Sequence, residues 1–274
     1  MKIALIGAGG KMGTRLAANL VGSDYEVAYV EVSDAGRARL KELVGMDCVP
    51  LDDALAGAGA VVLAVPDTAI GKVAAVLVPK VAPGTIVIAL DAAAPYAGHL
   101  PERADISYFV THPCHPPIFN DETTPEGRND HFGGVAARQA IVSALMQGPE
   151  AHFAIGEGIA RTIWAPILRS HRVTVDQMAM LEPGLSETVC ATLMVAMKSA
   201  LDEVVRRGVD RAAARDFLLG HMNILGAVVM DEVPGIFSDA CNKAIMNGTP
   251  RILRDDWLGV FEPAEIAESI RRIT

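Results

Sequence analysis

The sequence predicts an α/β protein in which an N-terminal, doubly wound parallel sheet is followed by an all-helical C-terminal domain. Three observations predict it. Short apolar runs such as Ile3–Ile6, Val27–Val30 and Ala60–Val65 alternate with apolar-periodic segments over roughly the first 150 residues, the pattern of strands buried on both faces and joined by helices. A glycine cluster, Gly7, Gly9, Gly10 and Gly13, follows the first run directly. From Glu157 onward the apolar spacing is read as helical.

Composition bounds the rest. The chain has 274 residues, 51% of them hydrophobic and only 5% aromatic, enough for two domains with substantial cores. The expected boundary divides residues 1–156 from 157–274. A net charge of -9 without a basic cluster excludes nucleic acid and anionic membrane surfaces as principal partners. No uncharged apolar run reaches transmembrane length, and the N-terminus enters the first strand without a signal-type segment, so a cytoplasmic location is expected. Cys48, Cys114, Cys190 and Cys241 are widely separated and read as reduced packing residues.

The first strand, Ile3 to Ile6, opens through the glycine turn into a helix carrying Leu16, Ala17, Leu20 and Val21. The glycines fit G-x-x-G-x-x-G in full. They fit G-x-G-x-x-G only to its second glycine, because Met12 takes the third place. Such backbone turns sharply, lets a pyrophosphate approach and aims helix N-terminal amides at it, so Gly7, Gly9, Gly10, Lys11 and Met12 are candidate dinucleotide contacts. The second strand ends at Glu31, whose carboxylate accepts from ribose hydroxyls and repels a 2′-phosphate, favouring NAD over NADP. Ser33 or Asp34 caps the next helix, and Asp52 a short one.

Pro66 and Asp67 break the third run at a strand's C-terminal end, where a doubly wound sheet binds its ligand. Val65 and Asp67 are therefore expected beside the cofactor, with Asp67 serving alternatively as a helix cap. Pro83-Gly84 turns the chain into Thr85–Leu90, which ends in Asp91, and Ile106–Val110 leads into Thr111-His112-Pro113-Cys114-His115-Pro116-Pro117. Strands and helices alternating with short joints give a Rossmann-type domain. The polar stretch from Ile118 to Gly134 reads as a surface loop or lid. Ala140–Met146 and His152–Ile155 read as closing strands. Thr174–Arg207 reads as one long helix kinked at Pro183-Gly184. It is apolar at Val189, Leu193, Ala196, Met197, Leu201 and Val204, over too much of its circumference for one core, which predicts oligomerisation.

His112 and His115 leave a strand end in a loop restricted by prolines, and Glu182 stands in the apolar stretch before Pro183. A carboxylate there must be exposed, paired or bound to a cation. His112 and Glu182 are a candidate ligand pair for a divalent metal, zinc being the expected ion, with His115 as a further catalytic residue or third ligand. The competing structural role pairs Glu182 with Arg169 or Arg172.

Gly7–Gly13 with Glu31, the Ala64-Val65-Pro66-Asp67 strand end and the helical C-terminal half together resemble the 6-phosphogluconate and β-hydroxyacid dehydrogenase superfamily. More narrowly, His112-Pro-Cys-His115-Pro-Pro and Val175-Asp-Gln-Met-Ala-Met-Leu-Glu182-Pro are similar to the D-apionate oxidoisomerase group, over nearly the whole chain. The resemblance implies an NAD-dependent oxidoreductase acting on a hydroxyl of a small polyhydroxy (sugar) acid, metal-assisted, with a coupled carbon-skeleton isomerisation and a dimer formed through the C-terminal domain. One departure bears on mechanism. The β-hydroxyacid dehydrogenases carry a lysine, and an asparagine four residues later, on the first helix after the nucleotide domain, and Glu157–Ser170 contains neither. A metal-polarised hydroxyl can replace that acid/base. Two other readings stay open: a metal-independent enzyme resembling prephenate dehydrogenase or pyrroline-carboxylate reductase and using His112, and a non-catalytic NAD-binding sensor.

Overall fold

A computed structural model describes residues 1–274. The N-terminal part alternates strand and helix: β1 (Lys2–Ile6), α1 (Lys11–Leu20), β2 (Glu26–Val30), α2 (Asp34–Val44), α3 (Leu51–Leu55), β3 (Ala60–Leu63), α4 (Asp67–Leu77), β4 (Ile86–Ala89), α5 (Ala93–Tyr96) and β5 (Ser107–Pro113). After a long loop that holds α6 (Pro125–Asn129) come β6 (Gln139–Gln147), α7 (Ala151–Ile163) and β7 (Ile167–Arg172). One seven-stranded sheet results, in the order β2-β1-β3-β4-β5-β6-β7. Strands β1 to β5 run parallel, β6 runs antiparallel to β5, and β7 is parallel to β6. Every residue of β3 and β4 is buried, which accounts for their unbroken Val/Ile/Ala/Leu sequence. On one face α1 and α7 bring Leu16, Leu20, Ile159 and Ile163 together with Phe109. On the other, Ile70, Ala74 and Leu77 of α4 pack with Val61, Leu63 and Val87.

Capping is local and follows the sequence in part. Ser33 accepts from Gly36 N (3.0 Å) at the start of α2. Asp52 and Asp67 are not caps: Pro50 and Pro66 precede the first helical residues, and both acids sit in the first turn, where they favour the positive end of the helix.

Two element assignments differ from expectation. His152–Ile155 lies in α7, not in a strand, because its apolar residues belong to a longer helical period that buries Gly156, Ile159, Ala160 and Ile163. Ile167–Arg172, read as helical, is the edge strand β7. Its exposed Arg169, His171 and Arg172 hide the period-2 signal and also discourage edge-to-edge pairing. The domain boundary moves accordingly. The chain forms two compact units, residues 1–182 with 267–274, and residues 183–266. A division at 156/157 would cut α7 and remove β7 from its sheet.

The predicted long helix is three consecutive segments. α8 (Val175–Ala179) starts with a Thr174/Gln177 capping box. Met180–Ala191 is π-helical, and α9 (Thr192–Arg206) follows. Instead of a simple kink, the helix widens around Pro183, which has no N–H to donate. The Pro183 carbonyl accepts from the Thr188 hydroxyl (2.6 Å). The second unit continues with α10 (Arg211–Val229) and α11 (Asp239–Ile252), then enters α12 (Pro263–Ile273). α9 and α11 bury no residue. No helix is long and apolar enough to cross a membrane.

Candidate active site

The glycine turn is shaped by close backbone approaches. Gly7 adopts φ +79°, and a Cβ there would lie 2.4 Å from Ala64 O. A Cβ on Gly13 would lie 2.0 Å from Gly7 O, so Gly13, not position 12, supplies the close helix–strand contact of the motif. Gly9 N donates to Glu31 Oε2 (3.1 Å), while Glu31 Oε1 accepts from Ser33 N (2.9 Å) and Ser33 Oγ (3.1 Å). The carboxylate is thus fixed at the tip of β2. Gly7, Gly9, Gly10, Glu31 and Val65 line one cavity of about 560 Å³. Three other expected contacts lie outside that lining. The Lys11 ammonium is 5.5 Å from the Phe132 ring, Met12 lines a small cavity with Phe132 and Trp164, and Asp67 lies near enough for its charge to act on His112 and Glu182.

The second feature is built at the carboxyl edge of β4 and β5. His112 is held in β5 by its antiparallel register with Val142, and the preceding Thr111 hydroxyl donates to Val142 O (3.1 Å). Glu182 follows α8, whose Met178 packs with Val110, Val142 and Ala89. His112 Nδ1 lies 3.4 Å from Glu182 Oε2. The third member is Asp91, which the sequence reading did not select. Its Oδ1 accepts from Ala93 N (2.6 Å) at the start of α5, and its Oδ2 lies 4.0 Å from His112 Nε2. The candidate ligand atoms of Asp91, His112 and Glu182 all lie within 4.8 Å of one another. Arg172, the suggested alternative partner of Glu182, pairs with Glu150 instead (2.9 Å).

These groups are unfavourable together without a cation. Burial, and then the Asp91 charge, push Glu182 up to about 7. Burial holds His112 below its usual value against the opposing pull of Asp91. Two acids and an imidazole converging in a largely buried site fit a divalent ion, which would turn their mutual repulsion into attraction. All three belong to the first compact unit, of which Glu182 is the last continuous residue.

His115 is not part of this trio. It adopts φ +60°, an uncommon conformation for a residue other than glycine. Its Nδ1 lies 2.8 Å from Phe132 O, and its ring meets that of His112 edge-on at 6.1 Å. A carbonyl oxygen only accepts, so Nδ1 carries the proton, and in the neutral imidazole Nε2 is the acceptor. The loop bearing Phe132 is tied by Asp130, which accepts from the backbone N–H groups of Gly133, Val135, Ala136 and Ala137. Burial acts to raise the Asp130 carboxyl, but these four bonds outweigh it and hold it below 3.8. A carboxyl depressed in the folded state stabilises fully above its unfolded pKa and loses that contribution as pH falls through the folded value. Asp130→Asn is therefore expected to lower the melting temperature at neutral pH. In paired thermal melts the difference from the native protein should shrink below about pH 4, and a difference independent of pH would refute the role.

Two known families match separate stretches of the chain. Residues 120–274 match the family described as phosphogluconate dehydrogenase (decarboxylating), C-terminal, and residues 2–94 match the family described as NADP oxidoreductase, coenzyme F420-dependent. A D-apionate oxidoisomerase of Rhizobium rhizogenes is 70% identical over 272 residues, covering 99% of both chains. Another, of Cupriavidus necator, is 67% identical over 273 residues, covering 100% of this chain and 99% of its own. The crystal structure of a semialdehyde dehydrogenase NAD-binding protein from Cupriavidus necator, in complex with calcium and NAD, superposes with a TM-score of 0.99 at 67% identity, over 100% of this chain and 99% of that one. Identity at this level over nearly the full length of both chains means that the chain belongs to the D-apionate oxidoisomerase family.

Proposed function

We propose that the protein is an NAD-dependent oxidoreductase that oxidises a hydroxyl of D-apionate and couples this to a carbon-skeleton isomerisation, with a divalent cation held by Asp91, His112 and Glu182. The observation that carries the reading is the convergence of those three side chains at the carboxyl edge of the sheet that also bears the glycine turn. The Gly7–Gly13 turn and the N-terminal amides of α1 receive the pyrophosphate, and Glu31 accepts from the adenosine ribose. Bound NAD supplies the hydride acceptor, and a bound cation supplies Lewis-acid polarisation of adjacent substrate oxygens. His115 Nε2, fixed as an acceptor by the Phe132 carbonyl, takes the hydroxyl proton during oxidation and can return it during isomerisation. That assignment answers the missing lysine. Inclusion of Asp91 makes the donor set richer in oxygen than a histidine–glutamate pair. Harder ions such as magnesium or manganese therefore join zinc as occupants to be tested.

NADH formation from D-apionate, with each metal added singly to chelator-treated protein, tests the proposal. No turnover with any metal would sink it and favour a non-catalytic NAD-binding role.

The same reading includes a homodimer formed through the second unit. There Val195, Phe217, Ile236, Met246 and Ile252 are exposed by 66%, 69%, 94%, 77% and 75%, apolar side chains that a subunit interface would cover. Light scattering at micromolar concentration should give twice the chain mass, and a monomer alone would refute the assembly.

A further inference from the structure

We propose that Arg39 belongs to a latent 2′-phosphate cradle in the nucleotide cavity, and that Glu31 alone keeps this cradle closed to NADP. The inference rests on the cofactor reading above and extends it to a residue that the glycine motif does not contain. Arg39, five residues into α2 from Asp34, reaches back so that Nη1 donates to Gly9 O (2.6 Å). Glu31 grips the amide side of the same glycine through Gly9 N (3.1 Å). No ion pair joins Glu31 to Arg39; each instead bonds the Gly9 backbone.

Glu31, Ser33, Arg39 and Lys72 all line the one cavity, which therefore carries two cations and a hydroxyl beside a single acid. Arg37 is differently occupied: its Nε donates to Glu31 O (2.8 Å) and its Nη1 lies 3.5 Å from Asp34. Arg39 spends one donor on Gly9 and retains the rest of its planar fork, a geometry suited to phosphate. A fixed carboxylate at the ribose edge opposes that fork by like-charge repulsion of an incoming phosphate, so discrimination here is a difference between one attraction and one repulsion. The match of residues 2–94 to a family of NADP oxidoreductases is consistent with a pocket that needs one change of sign to accept the phosphate.

The test uses binding as well as turnover. Purified protein is titrated with 5′-AMP and with 2′,5′-ADP, which differ only by the 2′-phosphate. Glu31→Ser should raise the affinity ratio of 2′,5′-ADP to 5′-AMP by about ten- to hundredfold, the range for hydrogen bonds to charged groups. Adding Arg39→Met should return that ratio to near the native value, and the NADP/NAD ratio of kcat/KM should move in step. Glu31→Gln, which keeps an acceptor for Gly9 N–H, carries the same comparison if the serine variant loses 5′-AMP binding. An unchanged ratio in both Glu31 variants overturns the proposal, as does a gain that survives removal of Arg39. Native protein that binds neither 5′-AMP nor NAD would instead overturn the cofactor reading itself.

Discussion

Glu182→Gln is expected to lose turnover by about a thousandfold or more, since the variant gives up several kcal/mol of transition-state charge stabilisation, while NAD affinity changes little. His112→Ala and Asp91→Asn should behave in the same way, because none of the three lines the cavity at the glycine turn proposed to receive the nucleotide. The physical signature separates this from simple misfolding. In metal-free protein the Glu182 carboxyl is buried and repelled by Asp91, so replacing it with a neutral amide should leave the fold at least as stable. Added cation should then raise the melting temperature of the native protein and not of the variant. Elemental analysis, NAD titration and thermal melts on the same preparations decide the matter. Full activity in chelator-treated protein would remove the cation from the mechanism and return His112 to the role of a metal-independent base.

Gly13→Ala should be severely damaging to the nucleotide half. The added methyl would stand 2.0 Å from Gly7 O and 2.9 Å from Ala8 C and Cα. These are backbone atoms and cannot swing aside as a flexible side chain would, so α1 must separate from β1. The expected cost is about 3 kcal/mol of stability, at the upper end of ordinary overpacking, with NAD binding lost because the amides of the turn move with the helix. Denaturant unfolding and NAD titration would measure both. Gly22→Ala is the comparison: its φ is +78° but a Cβ there meets nothing within 4 Å, so it should show backbone strain without loss of the pocket. Equal NAD affinity in the Gly13 variant would show that the close approach is not what shapes the turn.

Sequence alone determined the elements whose chemistry is local. The apolar run before Gly7, the glycine spacing, Glu31 at the end of β2, and the Pro66 and Pro113 strand ends are covalent neighbours of the structures they specify. Backbone sterics and short-range hydrogen bonding therefore sufficed to read them. His112 and Glu182 were also legible as residue types in unusual company, a histidine in a proline-rich strand end and an acid in an apolar helix. The tertiary structure decided what depends on contacts distant in sequence. β7 was missed because an exposed edge strand with Arg169, His171 and Arg172 has no buried face to impose a period. The boundary moved from 156 to 182 because membership of a sheet is set by pairing with β6, a partner that no local pattern names. Asp91 was visible as the acid ending the fourth strand, but nothing near it in sequence separates a helix-capping carboxylate from a ligand. Only the parallel alignment of β4 with β5, which carries residue 91 to within 4.0 Å of His112, makes it the third member of the site.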